Sequence, residues 1–423
     1  MKQTKLKDTE IGQIPEDWDV KNLGDIAQPI SSTYDFSGKE KVVFINTGDI
    51  LAGHFLHKDY SKITLLPGQA KKRISKNDIL FSEIRPINKR YAFVDFEDTE
   101  DYVVSTKLMV IRAKEDVLPK YLYRILIAKN TLLEFQHIAE SRSGTFPQIT
   151  FDAIRYYQVF LPSFNEQTTI TKILSDLDAK IELNQEMNTN LETVGQALFK
   201  HWFVDFEFPN KKGKPYKSSG GKMVDSELGR IPNGWKIKSI DEVADFLNGL
   251  ALQKFPAENE EDYLPVIKIR ELKQGITDSS DRANKNIPRE YIVSDGDVLF
   301  SWSGSLEVVI WVGGEGALNQ HLFKVTSKEY PKWFYYYWTL KHLPEYRHIA
   351  EGKATTMGHI QRHHLKSSLV LVPDEKRLPL MDKMFSQIID KQVRINQEII
   401  NLSQIRDSLL PRLMSGKIRV GVN

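Results

Sequence analysis

Glu10-Ile-Gly-Gln-Ile-Pro-Glu-Asp-Trp18 returns as Glu227-Leu-Gly-Arg-Ile-Pro-Asn-Gly-Trp235, with Glu, Gly, Ile, Pro and Trp in the same places. The match is not isolated. Asp78-Ile-Leu-Phe-Ser82 returns as Asp297-Val-Leu-Phe-Ser301, and His137-Ile-Ala-Glu140 returns unchanged as His348-Ile-Ala-Glu351. Thr145 and Ile149 align with Thr356 and Ile360, and Leu161-Pro162 with Val372-Pro373. Asn184-Gln-Glu186 then aligns with Asn396-Gln-Glu398, and Asn190-Leu191 with Asn401-Leu402. Matches in one order, separated by about 211 to 219 residues, mark a duplication, and so long a period excludes a solenoid of short repeats. The chain is two copies of a unit of roughly 210 residues.

Each copy divides into two kinds of text. Residues 9–162 carry short apolar runs such as Val42-Val-Phe-Ile45, Asp78-Ile-Leu-Phe81 and Lys107-Leu-Met-Val-Ile111. Bounded by Gly, Asn, Asp and Pro, they predict the strands and turns of an α/β globule. From 163 to about 206 Gly and Pro nearly vanish, and Ile170, Ile173, Leu177, Ile181, Asn184, Met187, Leu191, Val194 and Leu198 recur at the spacing of one long amphipathic helix. The second copy repeats the division. Strand-like text fills 226–373, and Leu378, Met381, Phe385, Ile388, Gln392, Ile395, Ile399, Leu402, Ile405 and Leu409 follow at helical spacing.

A stripe kept for more than five turns outlasts what one small globule covers, so the two helices are expected to pair as an antiparallel coiled coil. Asn184 and Gln392 on the stripe would fix its register at a cost in stability. The predicted fold is α+β: a globule over 1–162, a first helix over 163–208, a linker over 209–225, a second globule over 226–373 and a second helix over 374–423. The linker reading rests on Pro209-Asn-Lys-Lys-Gly-Lys-Pro-Tyr-Lys-Ser-Ser-Gly-Gly-Lys222, which lacks apolar periodicity and is rich in turn formers.

Composition bounds the chemistry. With 423 residues, 41% hydrophobic and 27% charged, the chain is long enough for several cored domains and is not dominated by disorder. Cysteine is absent, which removes disulfides, thiolate catalysis and sulfur-ligated zinc. No apolar run approaches the ~18 residues of a membrane span, and Met1-Lys-Gln-Thr-Lys-Leu-Lys7 leads into no apolar signal region. The expected compartment is the cytoplasm, with no membrane partner. A net charge of +2 gives no chain-wide field for nucleic acid, so any DNA contact must come from local patches.

Catalytic signatures are missing. Gly220-Gly-Lys222 runs into Met223 and makes no phosphate-binding loop, Gly313-Gly-Glu-Gly316 reads as a turn, and the Asn/Asp-Pro-Pro-Tyr/Phe tetrapeptide of amino-methyltransferases does not occur. Asp262 with Glu271 and Lys273 is the nearest approach to a metal-dependent nuclease centre, and His359 with His363 has the spacing of a helical metal pair. Strand-flanking charge and surface histidines explain both equally simply. Neither a metal nor a cofactor is expected. Trp333-Phe-Tyr-Tyr-Tyr-Trp338, like Tyr121-Leu-Tyr-Arg-Ile-Leu126, reads as core packing and not as a base-stacking platform.

Two tandem globules, each opened by Ile-Gly-x-Ile-Pro-x-x-Trp or its Leu228 variant and closed by a long helix bearing Asn-Gln-Glu, resemble the specificity subunit of type I restriction-modification enzymes. The resemblance spans nearly the whole chain, including Arg406-Asp-Ser-Leu-Leu-Pro-Arg-Leu-Met-Ser-Gly-Lys-Ile418. It implies that the globules are target recognition domains and that the helices pair and dock partner subunits. The chain would be a non-catalytic reader of double-stranded DNA, joined by two methylation subunits that bring S-adenosylmethionine chemistry and by restriction subunits in the full complex. Helices of about 38 residues would be ~57 Å long, enough to hold two readers one ~34 Å DNA turn apart, and unlike readers imply an asymmetric, bipartite target.

Cationic and amide side chains on loops beside a sheet are the usual DNA contacts. The candidates are Lys71, Lys72, Arg73, Arg85, Arg90, Lys107 and Arg142 in the first domain. In the second they are Lys268, Arg270, Trp302, Ser303, Asn319, Gln320, His321, Lys353 and Thr356. The competing functions are a metal-dependent DNA nuclease and a coiled-coil scaffold that makes no DNA contact.

Overall fold

A computed structural model describes residues 5–142, 145–352 and 358–421. The chain divides into two compact units, Met1–Ala179 with Ser403–Asn423, and Lys180–Leu402.

In the first unit the Asp78-Ile-Leu-Phe-Ser82 text becomes the strand Ile79–Ser82, buried at all four positions. A run buried on both faces needs a layer on each side, and the alternation of a strand assigns them. Ile79 and Phe81 join a core with Tyr121, Leu122, Leu126 and Phe135 of the helices Pro119–Ile127 and Lys129–Arg142. Leu80 points the other way, to Val43, Ile45 and Val104 of a second sheet. The first sheet is antiparallel in the order Tyr91–Phe93, Ile79–Ser82, Leu108–Ala113, Ala27–Ile30. The second runs Tyr60–Lys62, Lys41–Ile45, Tyr102–Ser105, Ala70–Arg73, with one parallel pair between Lys41–Ile45 and Tyr102–Ser105.

The second unit has the same plan. Its first sheet is ordered Val308–Ile310, Val298–Ser301, Leu322–Thr326, Asp245–Asn248. Its second is ordered Arg282–Ala283, Leu264–Ile267, Gly316–Leu318, Ile292–Val293, again with one parallel pair, Leu264–Ile267 on Gly316–Leu318. The covering helix is Lys332–Glu351, and every residue from Trp333 to Trp338 is buried, the packing role expected of that run. The duplication in the sequence is therefore a duplication of topology.

The long helices are Phe164–Phe203 and Leu378–Met414. Within the second unit Asn188 Nδ2 donates to Asn396 Oδ1 (2.6 Å) and Gln392 Nε2 to Glu192 Oε2 (2.8 Å), while in the first unit Arg406 meets Asp178 (3.0 Å). In the second unit partner numbers fall as the helix numbers rise, so there the two segments run antiparallel. Two positions of the expected stripe are corrected. Val194 and Ile405 are exposed, and Gly195 and Arg406 turn inward in their place, because Gly195 admits the ring of Tyr337 and Arg406 has Asp178 to pair with.

Each helix is followed by a tail that covers a tryptophan of its unit. After Phe203, Phe208 stacks on Trp235 and on Tyr216 at centroid separations of 5.1 and 4.6 Å. The lysines of the 209–225 segment are exposed as a linker requires, but Tyr216 is buried and anchors it, an apolar contact that turn-forming composition does not reveal. After Met414, Gly416 in the left-handed region (φ 69°) lies against Pro15 and Trp18, where an added Cβ would come within 2.5 Å of Pro15.

Candidate nucleic-acid interface

The duplicated Asp-x-Leu-Phe-Ser strand supplies the foundation of the candidate site in each unit. At its start the Asp78 carboxylate accepts Ser75 N–H and both Nε and Nη2 of Arg112 (2.7 and 2.9 Å). Asp297 accepts Ser294 N–H and pairs with Lys324 at 2.8 Å. A buried carboxylate answered by a cation on the neighbouring strand fixes the strand's register. At its end the hydroxyl turns the chain into a loop: Ile84 N–H donates to Ser82 Oγ (3.0 Å) and Glu307 N–H to Ser301 Oγ (2.7 Å).

That loop is clamped the same way in both units. Glu83 N–H donates to Lys107 O (3.0 Å), Ile149 N–H to Glu83 O (2.8 Å) and Arg85 N–H to Pro147 O (3.2 Å). The counterparts are Trp302 N–H to His321 O (3.3 Å), Ile360 N–H to Trp302 O (3.0 Å) and Gly304 N–H to Gly358 O (2.8 Å). Arg85 and Gly304 both sit in the left-handed region, at φ 44° and 65°. Glycine adopts that conformation freely; the arginine is held there by the junction, a strain of the kind that gathers at functional sites. The backbone frame is common to the two units while the side chains on it differ.

In the second unit the junction collects five of the predicted residues. Ser303 Oγ bonds His321 Nδ1 (2.9 Å), His321 N–H donates to Asn319 Oδ1 (3.2 Å), and Gln320 Nε2 lies 3.4 Å from His321 Nε2. The Trp302 indole packs on the His321 ring at 5.9 Å and donates to Asn248 Oδ1 (2.9 Å). Lys268 and Arg270 make none of these contacts and are spent internally. Lys268 Nζ pairs with Asp281, which its hydrogen bond holds below the ordinary aspartate pKa, and Arg270 binds Glu271 and Ser279 O. Lys353 and Thr356 lie outside the described residues.

In the first unit Lys71 and Arg73 project from one face of the strand Ala70–Arg73 and are exposed, as are Arg85, Lys107 and Arg142. Lys72 points to the other face, where its ammonium donates to Thr106 O (3.1 Å) and Leu108 O (2.7 Å), and burial lowers its pKa with Glu83 opposing. Arg90 is likewise occupied, by Gly48 O and Ile50 O at 2.9 and 3.0 Å. Sequence reasoning passed over Glu83, the residue after the first Asp-x-Leu-Phe-Ser strand. Alignment with Trp302 carries the signal that finds it.

Other chemistry is not assembled. Glu271 is fully buried and held by Arg270 and Ser280, Asp262 pairs with Lys285, and Lys273 reaches Ser305. His359 precedes the helix Arg362–Ser367 and bridges to Ser303, so it shares no helical turn with His363 as the spacing suggested. Among the described residues no three His, Asp or Glu side chains group as metal ligands, and no helix is long and apolar enough to cross a membrane.

The family model for the type I restriction modification DNA specificity domain matches this chain twice, over residues 15–193 and 232–404. The Type I restriction enzyme HindI specificity subunit of Haemophilus influenzae is 33% identical over 460 residues, covering 95% of this chain and 100% of that one. The MjaIX specificity subunit of Methanocaldococcus jannaschii is 25% identical, covering 99% and 97%. Among solved structures, the type I restriction-modification S subunit from M. genitalium aligns over 97% of this chain and 98% of that one, with a TM-score of 0.53 at 14% identity, a likeness of fold.

Proposed function

We infer, from the premise that this chain belongs to the type I restriction-modification DNA specificity family, that residues 1–162 and 226–373 each read one half of a split DNA target. The chain's function is DNA sequence specificity, and it is a recognition subunit rather than an enzyme. It binds DNA and assembles with other restriction-modification subunits. The finer composition we propose is two methylation subunits, joined by restriction subunits in the full complex, acting on double-stranded DNA in the cytoplasm.

One observation carries the split-target reading: the same clamped loop stands in both units with unlike side chains on it. Lys107 and Glu83 occupy the places that His321 and Trp302 occupy in the second unit. Backbone geometry positions a reader, and side chains meeting base edges specify. Equal frames with unequal chemistry favour two half-sites of different sequence. Neither the nuclease nor the bare scaffold has a supporting feature of this kind.

The test is an exchange. Residues 9–162 are replaced by those of a relative, the hybrid is expressed with the methylation subunits, and methylated adenines are mapped across the host genome. One half of the target should change while the other stays. Both halves changing, or neither, would reject modular recognition.

A further inference from the structure

We propose that Glu83 is a specificity-determining residue of the first recognition domain, its carboxylate accepting the exocyclic amino group of a cytosine or adenine of the half-site in the major groove. The proposal rests on the assignment of residues 1–162 as a DNA reader and adds to it the residue and the chemical group that it reads.

Four observations carry it. The backbone of Glu83 is pinned on both sides, by its N–H on Lys107 O at 3.0 Å and by Ile149 N–H on its own carbonyl at 2.8 Å, so the position is preorganised. Glu83 is half-buried, and its carboxylate has no hydrogen-bond or ion-pair partner among the described residues. Lys72, the cation that could have answered it, spends its ammonium on Thr106 O and Leu108 O. At the equivalent place in the second unit the polar group is satisfied within the protein, Trp302 donating to Asn248.

An acceptor partly withdrawn from water with no donor in the protein favours an outside one, and burial raises the pKa of Glu83, with Lys72 and Lys107 opposing. Beside a duplex that carboxylate meets phosphates, which repel it, and bases. The only donors on base edges in the major groove are the amino groups of cytosine and adenine. Exposed Lys71, Arg73, Arg85 and Lys107 supply the attraction that brings the duplex to it.

The experiment uses the full chain with its methylation subunits and duplexes carrying the mapped target. Each cytosine or adenine of the first half-site is replaced in turn by its amino-deleted analogue, 2-pyrimidinone or purine. In the wild type one replacement should weaken binding by about tenfold or more, and whether it is the pyrimidine or the purine names the base. With Glu83→Ala the same replacement should cost nothing further, and with Glu83→Asp, which keeps the charge and shortens the reach, the discrimination should fall. Overturning results are an undiminished analogue effect in Glu83→Ala, or a uniform gain in affinity for all sequences, which would make the carboxylate a mere counter-charge to the lysines. A wild-type complex indifferent to every base of the first half-site would instead overturn the assignment of the domain itself.

Discussion

Arg419 holds two carboxylates of the first unit at once. Its Nε and Nη2 donate to Glu166 at 2.7 and 3.0 Å, and Nη1 and Nη2 donate to Asp17 at 3.0 and 2.7 Å, while Trp18 Nε1 adds a third donor to Glu166 at 2.8 Å. Glu166 is 2% exposed, so its charge depends on these donors. Arg419→Met keeps the stem and removes the cation, and it should cost about 3–5 kcal/mol, the penalty of a buried charge left without its partner. Asp17→Asn should cost within about 1 kcal/mol, since the Asp17 side chain is largely exposed. The hydrogen bond from Arg419 holds Asp17 below its ordinary pKa of 3.8. A carboxyl depressed on folding stabilises above its ordinary value and loses that contribution as pH falls through the lowered one. Thermal unfolding of wild type and Arg419→Met, followed from neutral pH into that acid window, should therefore show the gap between them narrowing. A gap that widens on acidification would contradict the arrangement.

At the scale of elements, the paired helices test how tightly the fold is specified. A Cβ built on Gly195 would lie 1.9 Å from the Tyr337 hydroxyl, and that ring is locked between Phe199 and Phe385 at 5.5 and 5.6 Å. Helix propensity alone favours Gly195→Ala by about 1 kcal/mol; overpacking opposes it by about 1–3 kcal/mol. Steric conflict should win, and the denaturation midpoint should fall. Adding Tyr337→Phe removes the nearest atom, an oxygen with no hydrogen-bond partner to lose among the described residues. The double variant should recover part of the loss, since the Tyr337 ring carbon Cζ would still lie 2.8 Å from the added Cβ, and no recovery would place the cost elsewhere.

The same helix shows what was legible in the sequence. Period located both helices, with the scarcity of Gly and Pro adding to it for the first, and Asn184 and Gln392 are buried on the stripe as read. Gly195 was invisible because a hydropathy pattern scores it as a gap, and its reason for facing inward lies on Tyr337, far off in sequence. The loop cluster around Trp302 and His321 was legible as polar side chains on loops beside a sheet. Glu83 was not, because a lone carboxylate among lysines reads as solvated charge until its backbone clamps are seen.

For the whole molecule, the two copies build the same contacts around their tryptophans from different parts of the chain. In the second unit the chain passes covalently from the first long helix through Phe208 and Tyr216 to the strand Met223–Ser226, which pairs with Gly229–Pro232 beside Trp235. In the first unit the same succession is made without a peptide bond. Residues after Met414 pack on Pro15 and Trp18, and Leu6–Thr9 pairs with Gly12–Pro15. Both described ends of the chain, Lys5 and Gly421, thus belong to one unit and do what an internal segment does in the other. Where the break falls should then be immaterial to folding. Joining residues 5 and 421 through a flexible Gly/Ser linker of about a dozen residues and opening the chain at Gly213, an exposed turn with open space around it, leaves every core contact in place. A permutant running from Gly213 round to Lys212 should keep its unfolding midpoint to within about 1 kcal/mol of stability, because loop closure changes only logarithmically with length. With the methylation subunits it should also modify the same target. Opening instead between Asn188 and Thr189 cuts a paired helix and should abolish folding. A Gly213 permutant that fails to fold, or that modifies a different sequence, would mean that the two copies do not make equivalent use of the chain around their tryptophans.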